Sequence, residues 1–248
     1  MKKAINENFA FAKSFVDGIE SNFATSGTEV YRGRNLVKTF GVQGTELVVK
    51  RYKRPNLVQR VAYTFFEKGK AERAYLFASM LLDRGFDTPV GVAFVETRRH
   101  GLMLDSYFVS TSCTLPPLSS LLRRPDFDRR AAKDLAEYVV RLHEKGVLHG
   151  DLNLTNILYD ESPSGHYSFV LIDTNRSRFC QPTRHDCLAN LMRLSHDRPL
   201  LSFIARSYAA KRGWDEEATV TEVVRLLDRF EHRRAVIGKI KKAFKGKS

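Results

Sequence analysis

His149-Gly150-Asp151-Leu152-Asn153-Leu154-Thr155-Asn156, followed by Leu171-Ile172-Asp173, is the stretch on which the reading of this chain turns. An Asp on a loop after a helix, with Asn five positions on, sets a carboxylate beside an amide oxygen. A second Asp at the end of a short strand hairpin adds another hard oxygen ligand. Mg²⁺ takes few carboxylates, keeps several waters and is shared with substrate phosphates. One carboxylate is then left free to orient an attacking hydroxyl and take its proton.

Upstream, residues 29–52 predict a three-stranded meander. Glu29–Arg32 and Leu36–Phe40 are separated by Gly33-Arg34-Asn35, and Gln43-Gly44 turns the chain into Glu46–Tyr52. Pro55 opens a helix whose Leu57, Val58, Val61, Ala62, Phe65 and Phe66 share one face. A second helix runs from Lys70 to Arg84 and stops at Gly85. Val90–Val95 and Ser106–Ser110 read as further strands. Asp126 or Asp128 caps a long helix carrying Leu135, Tyr138, Val139 and Leu142 on one face, with Gly146 as its stop. Downstream of the strands 157–159 and 169–172, the pattern is helical over 187–195, 200–211 and from Asp215 on. A strand-rich first part and a helix-rich second part imply a two-lobed α+β protein: an N-lobe over 1–112, a C-lobe over 113–232 and a basic tail over 233–248. The cleft between two such lobes is the expected ligand site.

The pattern H-x-D-x-x-x-x-N with a later strand-terminal Asp resembles the catalytic and metal loops of protein kinases. The resemblance extends backward. Lys50, ending the third strand, looks like the lysine that holds the α- and β-phosphates of ATP. Glu72, 22 positions later, looks like its ion-pair partner. Gly33 is the one glycine in the hairpin that would cover the phosphates. The departures also inform. Gly150 stands where protein kinases usually have Arg, Asn153 replaces the catalytic-loop Lys, and Thr174-Asn175 follows Asp173 in place of Phe-Gly. No Ala-Pro-Glu is present, and His185 comes only 12 positions after Asp173. His-Gly-Asp is instead similar to small-molecule kinases such as the aminoglycoside and choline phosphotransferases. Val49-Lys50-Arg51-Tyr52-Lys53, Lys70-Ala71-Glu72-Arg73-Ala74 and Ile172-Asp173-Thr174-Asn175-Arg176 resemble the Kdo and heptose kinases of the lipopolysaccharide core. That resemblance covers residues 29–210. It implies a protein-kinase-like fold, ATP and Mg²⁺ as cofactors, Asn156 and Asp173 as the metal ligands, Asp151 as the base, and a sugar hydroxyl on an anionic glycolipid as acceptor. An atypical Ser/Thr protein kinase and a nucleotide-binding pseudokinase are the alternatives. Asp186 reads either as a helix cap or as a ligand to the catalytic-loop backbone. His149 reads as a packed scaffold residue, and Arg176 and Arg178 as acceptor-phosphate ligands or surface charges.

Composition points to an anionic partner: nucleic acid, phospholipid headgroups or a phosphorylated substrate. With 248 residues and 43% hydrophobic content the chain can bury a full core, and its net charge of +13 favours an anionic partner. Lys50–Arg60 is one basic cluster. From Arg233 on there are seven basic residues and no acidic one, with Ile237, Ile240 and Phe244 interleaved. Such a tail can lie on an anionic membrane, or its apolar face can pack on the C-lobe. No aromatic-basic motif suggests nucleic acid. Met1-Lys2-Lys3 has no apolar stretch behind it, so no signal peptide is expected. No apolar run reaches the ~20 residues of a bilayer span. The three cysteines lack metal spacing and are expected as reduced, buried thiols. The expected setting is the cytoplasm, with peripheral contact at the inner face of the inner membrane. The first few residues and the Lys-rich end are the candidates for disorder.

Overall fold

The computed structural model describes residues 1–245, with side chains as far as Ile240. The chain forms two compact units. One comprises Met1–Thr114 together with Val170–Arg176, and the other comprises Leu115–Phe169 with the chain from Ser177 on.

The first unit is built on a six-stranded antiparallel sheet. In chain order its elements are β1 (Lys2–Ile5), α1 (Lys13–Asp17), α2 (Ile19–Thr25), β2 (Thr28–Arg32), β3 (Leu36–Val42), β4 (Thr45–Arg51), α3 (Leu57–Phe65), α4 (Lys70–Leu82), β5 (Gly91–Arg99) and β6 (Leu102–Thr111). The strand order is β1-β5-β6-β4-β3-β2. The expected meander is β2–β4, in the expected register-setting turns. β5 and β6 are longer than predicted because His100-Gly101 closes them as a hairpin, both residues taking positive φ. β1 corrects the expectation of a disordered start: Lys2–Ile5 pair with Glu96–Ala93 at the sheet edge.

Side-chain alternation along β4 settles what each face does. Leu47 and Val49 point into a core with Ala12, Val16, Ile19 and Phe23 of α1–α2 and its flanking turn. Arg51 follows on that face and stacks on Phe23. Tyr52 joins the core on the other face, with Ala71 of α4 and Phe94 of β5. That opposite face carries Lys50. Residues 170–176 belong to this unit because Leu171 N–H bonds the Asp87 carbonyl at 2.9 Å and Val170 bridges Asp87 in parallel.

The second unit is mainly helical: α5 (Ser119–Leu122), α6 (Arg129–Glu144), β7 (Val147–Leu148), β8 (Ile157–Glu161), β9 (Tyr167–Leu171, whose last two residues fall in the first unit), β10 (Arg178–Phe179), α7 (Arg184–Leu191), α8 (Arg198–Arg212) and α9 (Glu216–Lys245). Asp128 is the α6 cap, accepting from Ala131 N–H, and Gly146 at φ 71° ends the turn after it. Leu135, Val139 and Leu142 of α6 are buried with Leu201, Ile204 and Tyr208 of α8 and Val223 and Leu227 of α9. The predicted tail is no separate segment within the described residues, because α9 passes through 232–233 without a break. Its Lys241, Lys242, Phe244, Lys245 and Lys247 side chains lie outside the described residues. Of the cysteines, Cys187 is buried as expected, but Cys180 is exposed.

Candidate active site

In the first unit the Lys50 ammonium lies 2.8 Å from Asp173 Oδ1. β4 alternation aims Lys50 at this face, and its ammonium sits 5.2 Å from the centre of the Tyr52 ring. Tyr52 is buried and bonded to Asn175, and burial holds its phenol well above the ordinary range. Asn175 in turn donates to Asp173 Oδ1 at 2.5 Å. Asp173 takes φ 57°, a left-handed conformation that costs a non-glycine residue free energy and is held by the contacts around it. Both cationic and amide contacts fall on Oδ1, so Oδ2 of this partly exposed carboxylate suits a hard cation.

Glu72 is buried in the first turn of α4, but it does not take Lys50. Its partner is Lys2, at 2.6 Å. The pairing expected from the resemblance is thus replaced by two others, Lys50–Asp173 and Lys2–Glu72. The β1–β5 register explains the second, since Lys2 stands opposite Glu96. Glu96 is buried beside Glu72, and burial first, then the Glu72 charge, pushes its carboxyl up to about 7. A buried pair of carboxylates draws a cation, and β1 supplies it. Gly33 opens the β2–β3 turn and donates to the Asn35 carbonyl at 3.0 Å. A Cβ there would meet the Tyr31 hydroxyl at 2.3 Å, so the turn is closed over a glycine. It borders a cavity of about 450 Å³ that Arg32, Arg34, Lys53 and Arg54 also line.

In the second unit, residues 149–156 form a loop tied to itself. The Asp151 carbonyl accepts from Asn153 N–H at 2.9 Å and from the Asn156 side-chain amide at 3.0 Å. The five-residue spacing is the span of that closure. With its NH₂ engaged, Asn156 has its amide oxygen left for a cation. Asn153, in the lysine's place, accepts from Thr155 N–H at 3.0 Å and serves the loop's shape. Leu152 and Leu154 are fully buried and pin it to the core, each contributing about 1.5–3 kcal/mol. The Asp151 carboxylate receives Arg193 at 2.8 Å.

Two residues with clear roles escape sequence reasoning. The first is Asn190, whose side-chain amide donates to the His149 carbonyl at 2.6 Å. Its oxygen faces His143 Nε2 at 3.1 Å, and His143 Nδ1 faces the Tyr208 hydroxyl at 2.8 Å. With the Asn190 amide donating to a carbonyl, Nε2 of His143 carries the proton and Nδ1 accepts from Tyr208. Burial lowers His143 to about 4, so it is neutral. His149 is fully buried and accepts from Asp151 N–H at 3.2 Å, a scaffold role as expected. Asp186, the residue weighed for the loop-backbone bond, instead completes a capping box with Thr183 and pairs with Arg178 at 2.7 Å. The Thr183 hydroxyl, then Arg178, pull its carboxyl down to about 2. The helix was the right one, and Asn190 sits one turn further along it. The second residue missed is Arg193, one of many arginines, with nothing in its spacing to single it out.

Comparison with known proteins places these residues in context. The profile of the lipopolysaccharide kinase (Kdo/WaaP) family matches residues 29–228. The 3-deoxy-D-manno-octulosonic acid kinase of Vibrio cholerae serotype O1 is 24% identical over 135 residues, covering 52% of this chain and 57% of the relative. The chain thus spans little more than half the length of that curated relative. Among solved structures, WaaP in complex with acyl carrier protein is similar with a TM-score of 0.63 at 17% identity, covering 94% of this chain and 98% of that one. Amicoumacin kinase hAmiN, in complex with AMP-PNP, Ca²⁺ and Ami, has a TM-score of 0.56 at 10% identity, covering 81% and 77%. The fold is protein-kinase-like.

The buried His143 gives the loop scaffold a pH signature. Its folded value of about 4 lies below the ordinary 6.5, so as pH falls the unfolded chain takes a proton that the folded one refuses. The stability His143 contributes is complete above 6.5 and is lost toward 4, by an amount on the order of 3 kcal/mol. Urea unfolding of wild type and His143→Gln from pH 7.5 to 4.5 should show the difference between them shrinking as pH falls. A constant difference would mean that His143 is not held neutral.

Proposed function

This chain belongs to the lipopolysaccharide kinase (Kdo/WaaP) family, and from that premise we propose that it transfers the γ-phosphoryl group of ATP to a hydroxyl of an inner-core sugar. Of Kdo and heptose we favour Kdo, on the similarity to the Vibrio cholerae octulosonic acid kinase. The observation that carries the reading is the paired Lys50 ammonium and Asp173 carboxylate at 2.8 Å, inside a family match that also takes in the loop closed through Asp151 and Asn156.

The roles follow from the chemistry of each group. Lys50 binds ATP phosphate oxygens, and Gly33 lets the β2–β3 turn approach them. Asp173 and Asn156 hold Mg²⁺, which when bound neutralises phosphate charge. Glu72 is the second carboxylate to which Lys50 can turn when its contact with Asp173 is given up. Asp151 orients the acceptor hydroxyl and takes its proton as the new oxygen–phosphorus bond forms and the bond to ADP breaks. Most of the rate comes from positioning and charge neutralisation, because the transition state asks little covalent chemistry of the protein. The acceptor is an anionic glycolipid, so the reading includes peripheral contact with the inner face of the inner membrane. No helix among the described residues is long and apolar enough to cross a membrane.

The test is incubation with ATP, Mg²⁺ and glycolipids ending in Kdo or heptose, with mass spectrometry for one added phosphate. Asp151→Asn should lower turnover on the order of 10²–10⁴-fold while nucleotide affinity stays within a few-fold. Transfer to no acceptor, with ATP still raising the melting temperature, would favour the pseudokinase alternative.

A further inference from the structure

A second cavity, of about 510 Å³, opens beside Asp151 within the second unit, lined also by Arg123, Arg193, His196, Phe230 and Arg234. That volume is of small-molecule size. Its charge is mainly cationic. Asp151 is met by Arg193, and the other carboxylate in the wall, Asp197, caps α8 through Leu200 N–H. Phe230 acts as a plate on which the Arg193 and Arg234 guanidinium carbons stack at 4.8 and 5.6 Å from the ring centre. Stacking fixes the planar groups and leaves their N–H edges for a ligand. Arg123 and Arg234 have no carboxylate partner among the described residues.

Resting on the kinase reading above, we propose that this cavity is the acceptor pocket and selects a sugar with an anionic substituent, a carboxylate or phosphate ester, near the reacting hydroxyl. Asp151 is the group assigned to that hydroxyl, so a cavity bordered by it lies on the acceptor's side of the reaction. Arg123 and Arg234 hold the anion, and Arg193 is a positioning residue that orients the Asp151 carboxylate. The probes are a Kdo-terminated glycolipid and its carboxyl methyl ester. Arg123→Gln and Arg234→Gln should each raise KM for the acid on the order of tenfold to a hundredfold. KM for ATP should stay within about twofold, KM for the ester should hardly move, and Arg234→Lys should recover part of the loss. Unchanged acceptor KM in both Gln variants, or equal losses on acid and ester, would overturn the pocket assignment alone. Transfer by the wild-type chain to a heptose-terminated glycolipid but to neither probe would also overturn the pocket assignment, and transfer to none of the three would overturn the kinase reading itself.

An independent observation concerns α3, which is mounted inside out. Its polar side faces the sheet: Arg60 Nε donates to the Met103 carbonyl at 2.7 Å, and Thr64 Oγ1 accepts from Met103 N–H at 2.9 Å. The predicted apolar face is therefore turned to solvent, with Leu57 65%, Val58 79%, Phe65 66% and Phe66 83% exposed. Exposed Lys53 and Lys68 flank it, as does Arg54, whose guanidinium pairs with the buried Asp105 at 2.7 Å, and Glu67 is an exposed carboxylate adjoining. We infer that this face seats on an anionic lipid surface, since apolar insertion bordered by basic residues is the chemistry such a surface rewards. Sedimentation with phosphatidylglycerol-containing and pure phosphatidylcholine vesicles tests it. Wild type should bind the anionic vesicles, less so at high salt, and Phe65→Ser/Phe66→Ser should lose most binding without a change in KM for ATP. Equal binding by both proteins, no binding by wild type, or a wild-type dimer that the double variant dissociates would each overturn it.

Discussion

A 2.6 Å hydrogen bond from the Asn190 side chain to the His149 carbonyl is the contact on which the candidate site depends. Residues 149–156 cannot satisfy their backbone in a helix or sheet ladder, yet Leu152 and Leu154 bury them. Side chains must take over, and an amide is the group that can donate to the loop while accepting from the scaffold behind it. Asn190 does both, handing its oxygen to His143, which is anchored by Tyr208. The helices α6, α7 and α8 each contribute one member, so their packing is read directly into the loop's position. A buried network of this kind is costly if broken at any link.

The charged residues of the two units are arranged differently. In the second, the Asp151 carboxylate pairs with Arg193. In the first, two carboxylate–ammonium pairs divide among themselves what the family resemblance assigns to one. Lys50 rests on Asp173, and Glu72 is served by Lys2 from β1. The sheet edge is therefore part of the nucleotide machinery we propose: adding β1 brings its lysine to two buried carboxylates.

Much of this was legible in the residues. The β2–β4 meander follows from alternation punctuated by Gly33 and Gly44, and the α6 boundaries follow from Asp128 and Gly146. The five-residue spacing of Asp151 and Asn156 carries the geometry of the loop closure with it. What was not legible depends on tertiary context. Lys2–Ile5 is too short and too basic to announce a strand until β5 offers an edge. The face of α3 was correctly identified as apolar, but its orientation was not, because periodicity says which residues share a side and not which side is buried. Asn190 could not be told from Asp186 because both are polar positions one turn apart, and only the direction of the helix decides which reaches the loop.

The central claim is that Asn190 acts on catalysis by holding Asp151 in place. A double-mutant cycle on phosphoryl transfer tests it most directly, using Asn190→Ala, Asp151→Asn and the pair, with stability measured in parallel. The account predicts that Asn190→Ala lowers kcat on the order of 10²-fold in the wild-type background and by less than about threefold once Asp151 is Asn, while its stability cost is the same in both. Equal losses of kcat in the two backgrounds would contradict the account, because Asn190 would then act on turnover by a route that does not pass through Asp151.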